Sequence, residues 1–269
     1  MNLADVMTNT AIFDDITAQA VALNAKEIEE TKTTEEIAKA PVVKTVSLNN
    51  TNAIKSVDIG ESISGDINNI FTAIEDVKKI EEMRMHFAVA FDARIDYERS
   101  KENCTMKMIN NLTVLKNQFM SDDICQVFVA LHINESFVNK QQSVKNRFNV
   151  YAFFKIAEIA RALKGFYSSN KTINCFIRSM IKCSENNVSF TQGLQLASLS
   201  REYRISHSDA RYLTRHDLSK ATAQAQRSQM IASLEVFDAI ASNNEKSDDN
   251  VIALKDTPVT RQLIKMFHE

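Results

Sequence analysis

Four glycines and two prolines are spread over 269 residues. Average usage of roughly 7% and 5% would place about 19 and 13 in a chain of this length. Tight hairpins and phosphate-cradling loops draw on glycine, because a residue without a Cβ reaches positive φ at no steric cost. The shortage excludes a glycine-rich nucleotide fold and an all-β sandwich, and leaves a mainly α protein. Hydrophobic residues make up 44% of the chain, enough for a core. The length suits one large domain or two small ones. No P-loop, dinucleotide or G-x-S-x-G fingerprint is present, so no cofactor is implied and the reading is non-enzymatic.

No run approaches the roughly 20 apolar residues of a membrane span. The start, Met1-Asn2-Leu3-Ala4-Asp5, lacks the basic and then apolar layout of a signal peptide. Cys104, Cys125, Cys175 and Cys183 form no C-x-x-C pair, and a disulfide framework would be denser. These features predict a cytoplasmic, reducing setting with free and mostly buried thiols.

A near-neutral total of −2 conceals an asymmetry. Residues 1–139 hold 13 basic and 22 acidic side chains, residues 140–230 hold 15 and 5, and residues 231–269 hold 4 and 7. A basic stretch of that density suits a polyanion. It equally suits packing against the acidic half or against a protein partner.

Three regions are expected: an extended or partly helical arm over 1–62, a helical bundle over 63–165 and a winged-helix-like domain over 166–269. In the arm, Ile16, Ala20 and Leu23 share a helical face, and Pro41 ends that helix. A long helix is expected over 65–102, capped by Ser62 or Ser64. Its apolar positions Ile63, Ile67, Ile70, Ile74 and Val77 step by 4, 3, 4 and 3, the spacing of a bundle seam or short coiled coil. Ile67, Ile70, Ile74 and Val77 are the candidate interface of a homo-oligomer or larger protein assembly. Further helices are expected over 104–119 (Ile109, Leu112, Leu115 and Phe119 inward), from the cap Ser121-Asp122-Asp123, and over 143–164, closed by Gly165.

The last hundred residues predict helices over 171–184 and from Gln192 to about Tyr203, with a short extended break at 188–191. A helix from Ala210 to Asp217, with a cap offered by Ser206-His207-Ser208-Asp209, comes next. Another runs from Lys220 to about Phe237, capped by Ser219. Two short apolar runs around the polar tip 242–250 suggest one β-hairpin. A final helix starts after Thr257 with Pro258 at its first position.

The string Asp217-Leu218-Ser219-Lys220-Ala221-Thr222 resembles the turn and recognition-helix start of bacterial winged helix-turn-helix regulators of the MarR type. Val251-Ile252-Ala253-Leu254 with Thr257-Pro258 resembles their second wing strand and the helix that follows. The resemblance covers about residues 206–267. It implies double-stranded DNA as the partner and transcriptional regulation as the role. Ser219, Lys220 and Thr222 would meet phosphates at the helix N-terminus. Gln224 and Gln226 would face base edges, since glutamine pairs bidentately with adenine. Arg211, Arg215 and Arg227 would add positive charge. Against that pattern, Asp217 stands where the family usually has glycine, and the wing tip 243–249 is acidic, which phosphates repel. The alternative is a structural or assembly protein, for example a virus or phage component, located in the virion and binding protein partners.

Other constellations point to structure. His86, His132, His207, His216 and His268 offer no metal-ligand spacing, so no metal site is expected. Asp92, Asp96 and Glu98 interleave with Arg94, Arg99 and Lys101, the pattern of a surface ion-pair lattice. The ten methionines read as adaptable core filler.

Overall fold

A computed structural model describes residues 77–133, 149–243 and 250–268. The expected arm, most of the seam (Ile67, Ile70 and Ile74) and the wing tip 244–249 lie outside the described residues. The described residues fall within one compact unit, Asp66–Glu269. It is mainly helical, with a short C-terminal two-stranded antiparallel hairpin.

Helix α1 spans Val77–Arg99 and buries Ile80, Phe87, Phe91 and Ile95. It lies within the long helix expected over 65–102. Helix α2, Met106–Phe119, buries Ile109, Leu112, Leu115 and Phe119 as their spacing predicts. The Thr105 side chain caps it by accepting from the Met108 amide. Helix α3, Asp122–Ala130, follows Ser121, but that serine makes no side-chain cap. Its hydroxyl donates instead to the Gln118 carbonyl at 2.7 Å, closing the α2–α3 turn.

Helix α4, Val150–Leu163, is capped by Asn149 and buries eleven of its fourteen residues. It packs against α2 and α3 on one side. On the other it meets α8 (Lys220–Val236) and α9 (Pro258–Phe267). Packing therefore runs across the 165/166 division expected from the sequence. Between α4 and α8 lie α5 (Lys171–Glu185), α6 (Gln192–Leu199) and the single turn α7 (His207–Ala210). Strands β1 (Ile240–Asn243) and β2 (Val251–Leu254) pair Ile240 with Leu254 and Ser242 with Ile252. Phe190, in the expected extended break, bridges to Ile252 and so touches the hairpin from its second strand.

Phe119 anchors the N-terminal part of the core. Its ring centroid lies 5.2 Å from Phe87, 5.1 Å from Phe91, 6.0 Å from Phe128 and 5.7 Å from Phe153. Most of these pairs meet edge to face, the arrangement that the ring quadrupole favours. Cys125, Cys175 and Cys183 are buried thiols and Cys104 is partly exposed. Burial pushes Cys125 and Cys183 up to about 11, so neither is a nucleophile near neutral pH.

The acidic and basic positions of α1 pair as a lattice only in part. Asp92 accepts from Lys116 at 2.7 Å and Asp96 from Arg99 at 3.4 Å, both near the surface. Arg94 and Glu98 differ from the expectation: they are buried and paired at 2.8 Å, with Lys101 on the other carboxylate oxygen at 3.0 Å.

The helix expected from Ala210 to Asp217 is absent beyond Ala210. Backbone groups there bond to neighbouring helices instead. The Ser179 hydroxyl on α5 both donates to the Thr214 carbonyl and accepts from the Thr214 amide. The His216 and Leu218 amides donate to the Ser198 and Leu199 carbonyls at 2.8 and 3.1 Å. Those carbonyls are among the acceptors that α6 leaves unsatisfied at its C-terminus. Capping α6 thus holds 214–218 out of a helix.

Candidate nucleic-acid interface

The N-terminal half of α8 and the connection before it hold the candidate residues. Ser219 is the N-cap, accepting from the Thr222 amide, and the two hydroxyls bond at 2.8 Å. Ser219 stays exposed, whereas Thr222 is buried. Lys220 is exposed, with its ammonium 5.8 Å from the centroid of the Tyr203 ring. Gln224 and Ser228 follow on the outward face.

Gln226 does not join Gln224 there. Two residues advance an α-helix by about 200°, which places them on opposite faces. Gln226 is 3% exposed and turned into the fold. Its side-chain oxygen is buried without a hydrogen-bond partner. In this conformation it reads no base edge.

The arginines divide. Arg211 is exposed and stacks its guanidinium 4.6 Å from the Tyr212 ring centroid. Arg215 faces α6, donating to the carbonyls of Ala197, Ser200 and Tyr203 at 3.0, 3.2 and 2.9 Å. Arg227 donates to Gln195 Oε1 at 2.6 Å, and burial lowers its pKa. Arg227 therefore ties α8 to α6, and Arg215 ties the connection before α8 to the C-terminal end of α6, so both guanidiniums expected as DNA contacts are engaged within the fold. Arg201 and Arg204, unremarked among the candidates, are exposed on the same connection. The basic count over 140–230 was the one signal that included them.

Of the expected oligomer seam only Val77 is described. It begins α1 and is 75% exposed. Among the described residues no group of three or more His, Cys, Asp or Glu side chains is placed to hold a metal, and no helix is long and apolar enough to cross a membrane.

No family model, curated protein or solved structure matches the chain.

Proposed function

We propose that this chain binds duplex DNA through the outward face of α8 and the exposed arginines of the connection leading into it, where Glu202, Asp209 and Asp217 also stand, as a winged-helix-like module would. The observation that carries the reading is the exposure of Arg201, Arg204, Arg211 and Lys220 along one segment that ends at a helix N-terminus. From Lys220 to the residue before Glu235 that helix has no acidic side chain. Phosphates are attracted both to the cations and to the unpaired amides of the first turn. Gln224, exposed in the second turn, would reach a base edge once Lys220 meets the backbone. The element order, helix α5, Phe190 bridge, α6, α8, hairpin and α9, supports the module as well.

The test is a titration of the full chain with a selected duplex and a random duplex at two salt concentrations. Lys220→Ala should weaken both duplexes alike and flatten the salt dependence by about one unit of slope. Gln224→Ala should lower the ratio of specific to non-specific affinity by about 1–3 kcal/mol. Equal and small effects on both duplexes would end the proposal.

A second reading, a protein that assembles with copies of itself or with other proteins, is favoured by a separate observation. Val77, Met85 and Val89 on α1 and Met106 and Val114 on α2 are large apolar side chains left exposed, and exposed apolar surface marks interaction sites when it is contiguous. Sedimentation of the full chain before and after Met85→Glu with Val89→Glu separates the readings: a drop to monomer mass supports assembly through Met85 and Val89 of α1.

A further inference from the structure

Residues 161–171 read Arg-Ala-Leu-Lys-Gly-Phe-Tyr-Ser-Ser-Asn-Lys, three cations without a carboxylate. Helix α4 ends inside this string. Gly165 adopts φ of 90°, a conformation that side chains with a Cβ rarely take. Its amide donates to the Ala162 carbonyl at 2.9 Å, and the Phe166 amide donates to the Arg161 carbonyl at 3.1 Å. That pair of bonds is the Schellman motif, whose residue after the glycine usually packs an apolar side chain back onto the last helical turn. Here that residue is Phe166, and it packs on a cation: the Arg161 guanidinium carbon lies 5.7 Å from the ring centroid. Phe166 stays 45% exposed and Tyr167 beside it 72% exposed.

We propose that this turn is a binding surface for the unpaired bases of a single-stranded nucleic acid. Tyr167 and Phe166 serve as stacking platforms, and Arg161 and Lys171 neutralise the neighbouring phosphates. The charge sets the partner class. Arg161 and Lys171 are exposed, while Glu158, a carboxylate bonded to this turn, accepts from the Ser168 hydroxyl at 2.9 Å. Lys164 is held by Gln126 Oε1 at 2.6 Å and fixes the turn rather than the ligand. The rings choose among polyanions. Exposed aromatic faces next to cations match bases joined by phosphates, and every base offers a π-face whatever its sequence. A duplex hides those faces by stacking. This surface belongs to a different segment from the α8 contact and does not depend on it.

The chain contains no tryptophan, so Tyr167→Trp supplies a single reporter at the site. The full-length variant is titrated with a short oligothymidylate, with an abasic strand of the same phosphate count, with a duplex of equal length and with polyglutamate. Strong quenching by the oligothymidylate alone is the expected result. In the parent chain, Tyr167→Ala and Phe166→Ala should each weaken oligothymidylate binding about 5- to 150-fold, as loss of one stacked base does. Tyr167→Phe should retain it. Unchanged affinity in both alanine variants, equal binding of the abasic strand, or equal quenching by polyglutamate would each overturn the proposal. The Tyr167→Trp reporter senses this turn rather than α8, so failure here and failure of the duplex reading are separate results.

Discussion

Lys155 on α4 faces Gln229 on α8, its ammonium nitrogen 3.0 Å from the Gln229 side-chain oxygen, with both residues buried. One turn away the Ser233 hydroxyl donates to the Ala152 carbonyl at 3.2 Å, so the two helices run antiparallel along a polar seam. Among the described residues no carboxylate pairs with Lys155, and burial lowers its pKa from 10.5 to about 7. A lysine in a core without an acid is a cost that varies with pH.

The sign of that variation follows from linkage. The unfolded chain keeps the Lys155 proton up to about pH 10.5, whereas the folded chain gives it up near pH 7. Stability from this group therefore rises as pH climbs from about 7 to about 10.5, and is lowest and level below 7. The full span is on the order of several kcal/mol. Lys155→Met should stabilise the protein most near pH 7, and the gap to the parent chain should close as pH rises. Urea midpoints of both proteins at pH 7 and 9.5 measure it, and parallel curves would show that the lysine is not desolvated.

Gln226 and Gln224 make a matched pair on α8. Gln226→Leu replaces a buried, unpartnered acceptor with an apolar side chain of similar size, so the melting temperature should rise, by about 1 kcal/mol of stability. Gln224→Ala removes an exposed side chain and should leave melting within about 0.5 kcal/mol. If Gln226→Leu instead lowers stability, its amide is satisfied in solution and the buried orientation is wrong.

Arg215 joins three carbonyls at the C-terminal end of α6 and just beyond it. Arg215→Ala leaves acceptors without donors and should cost about 2–3 kcal/mol in a denaturant titration. Lysine has the charge without the planar fork, so Arg215→Lys should recover less than half. Full recovery by lysine would mean that charge, not geometry, holds the connection.

Phe119 is fully buried among Phe87, Phe91, Phe128 and Phe153. Phe119→Ala should cost about 3–5 kcal/mol through lost contacts and a residual cavity. Calorimetry that finds less than about 1 kcal/mol would indicate that this cluster is loosely packed.

What could be read before the structure was local. The spacing of Ile109, Leu112, Leu115 and Phe119 marks one helix face, and that face is buried. Thr257-Pro258 announces a helix start, and α9 begins there. The hairpin too was signalled, by two apolar runs around a polar tip. What could not be read depended on partners distant in sequence. Residues 210–217 are expected as a helix from their own sequence, but Ser179, Ser198 and Leu199 claim backbone groups of Thr214, His216 and Leu218. Arg215 and Arg227 look like surface cations until the α6 carbonyls and Gln195 are seen beside them. Gln226 stands about half a turn from Gln224 on α8, so the two face opposite ways, a separation already legible in their spacing.

Helix α4 is shared property. Gln262 on α9 donates to its last carbonyl, Leu163, at 3.3 Å, Ser233 on α8 to its Ala152 carbonyl, and Phe153 meets the α2 ring of Phe119. A fragment cut after residue 165 would keep this helix with one flank stripped, and the remainder would lose the wall that covers α8. Neither piece inherits a finished interior. The backbone amides on both sides of the cut should therefore gain and lose their protection from solvent exchange together, as members of one cooperative unit.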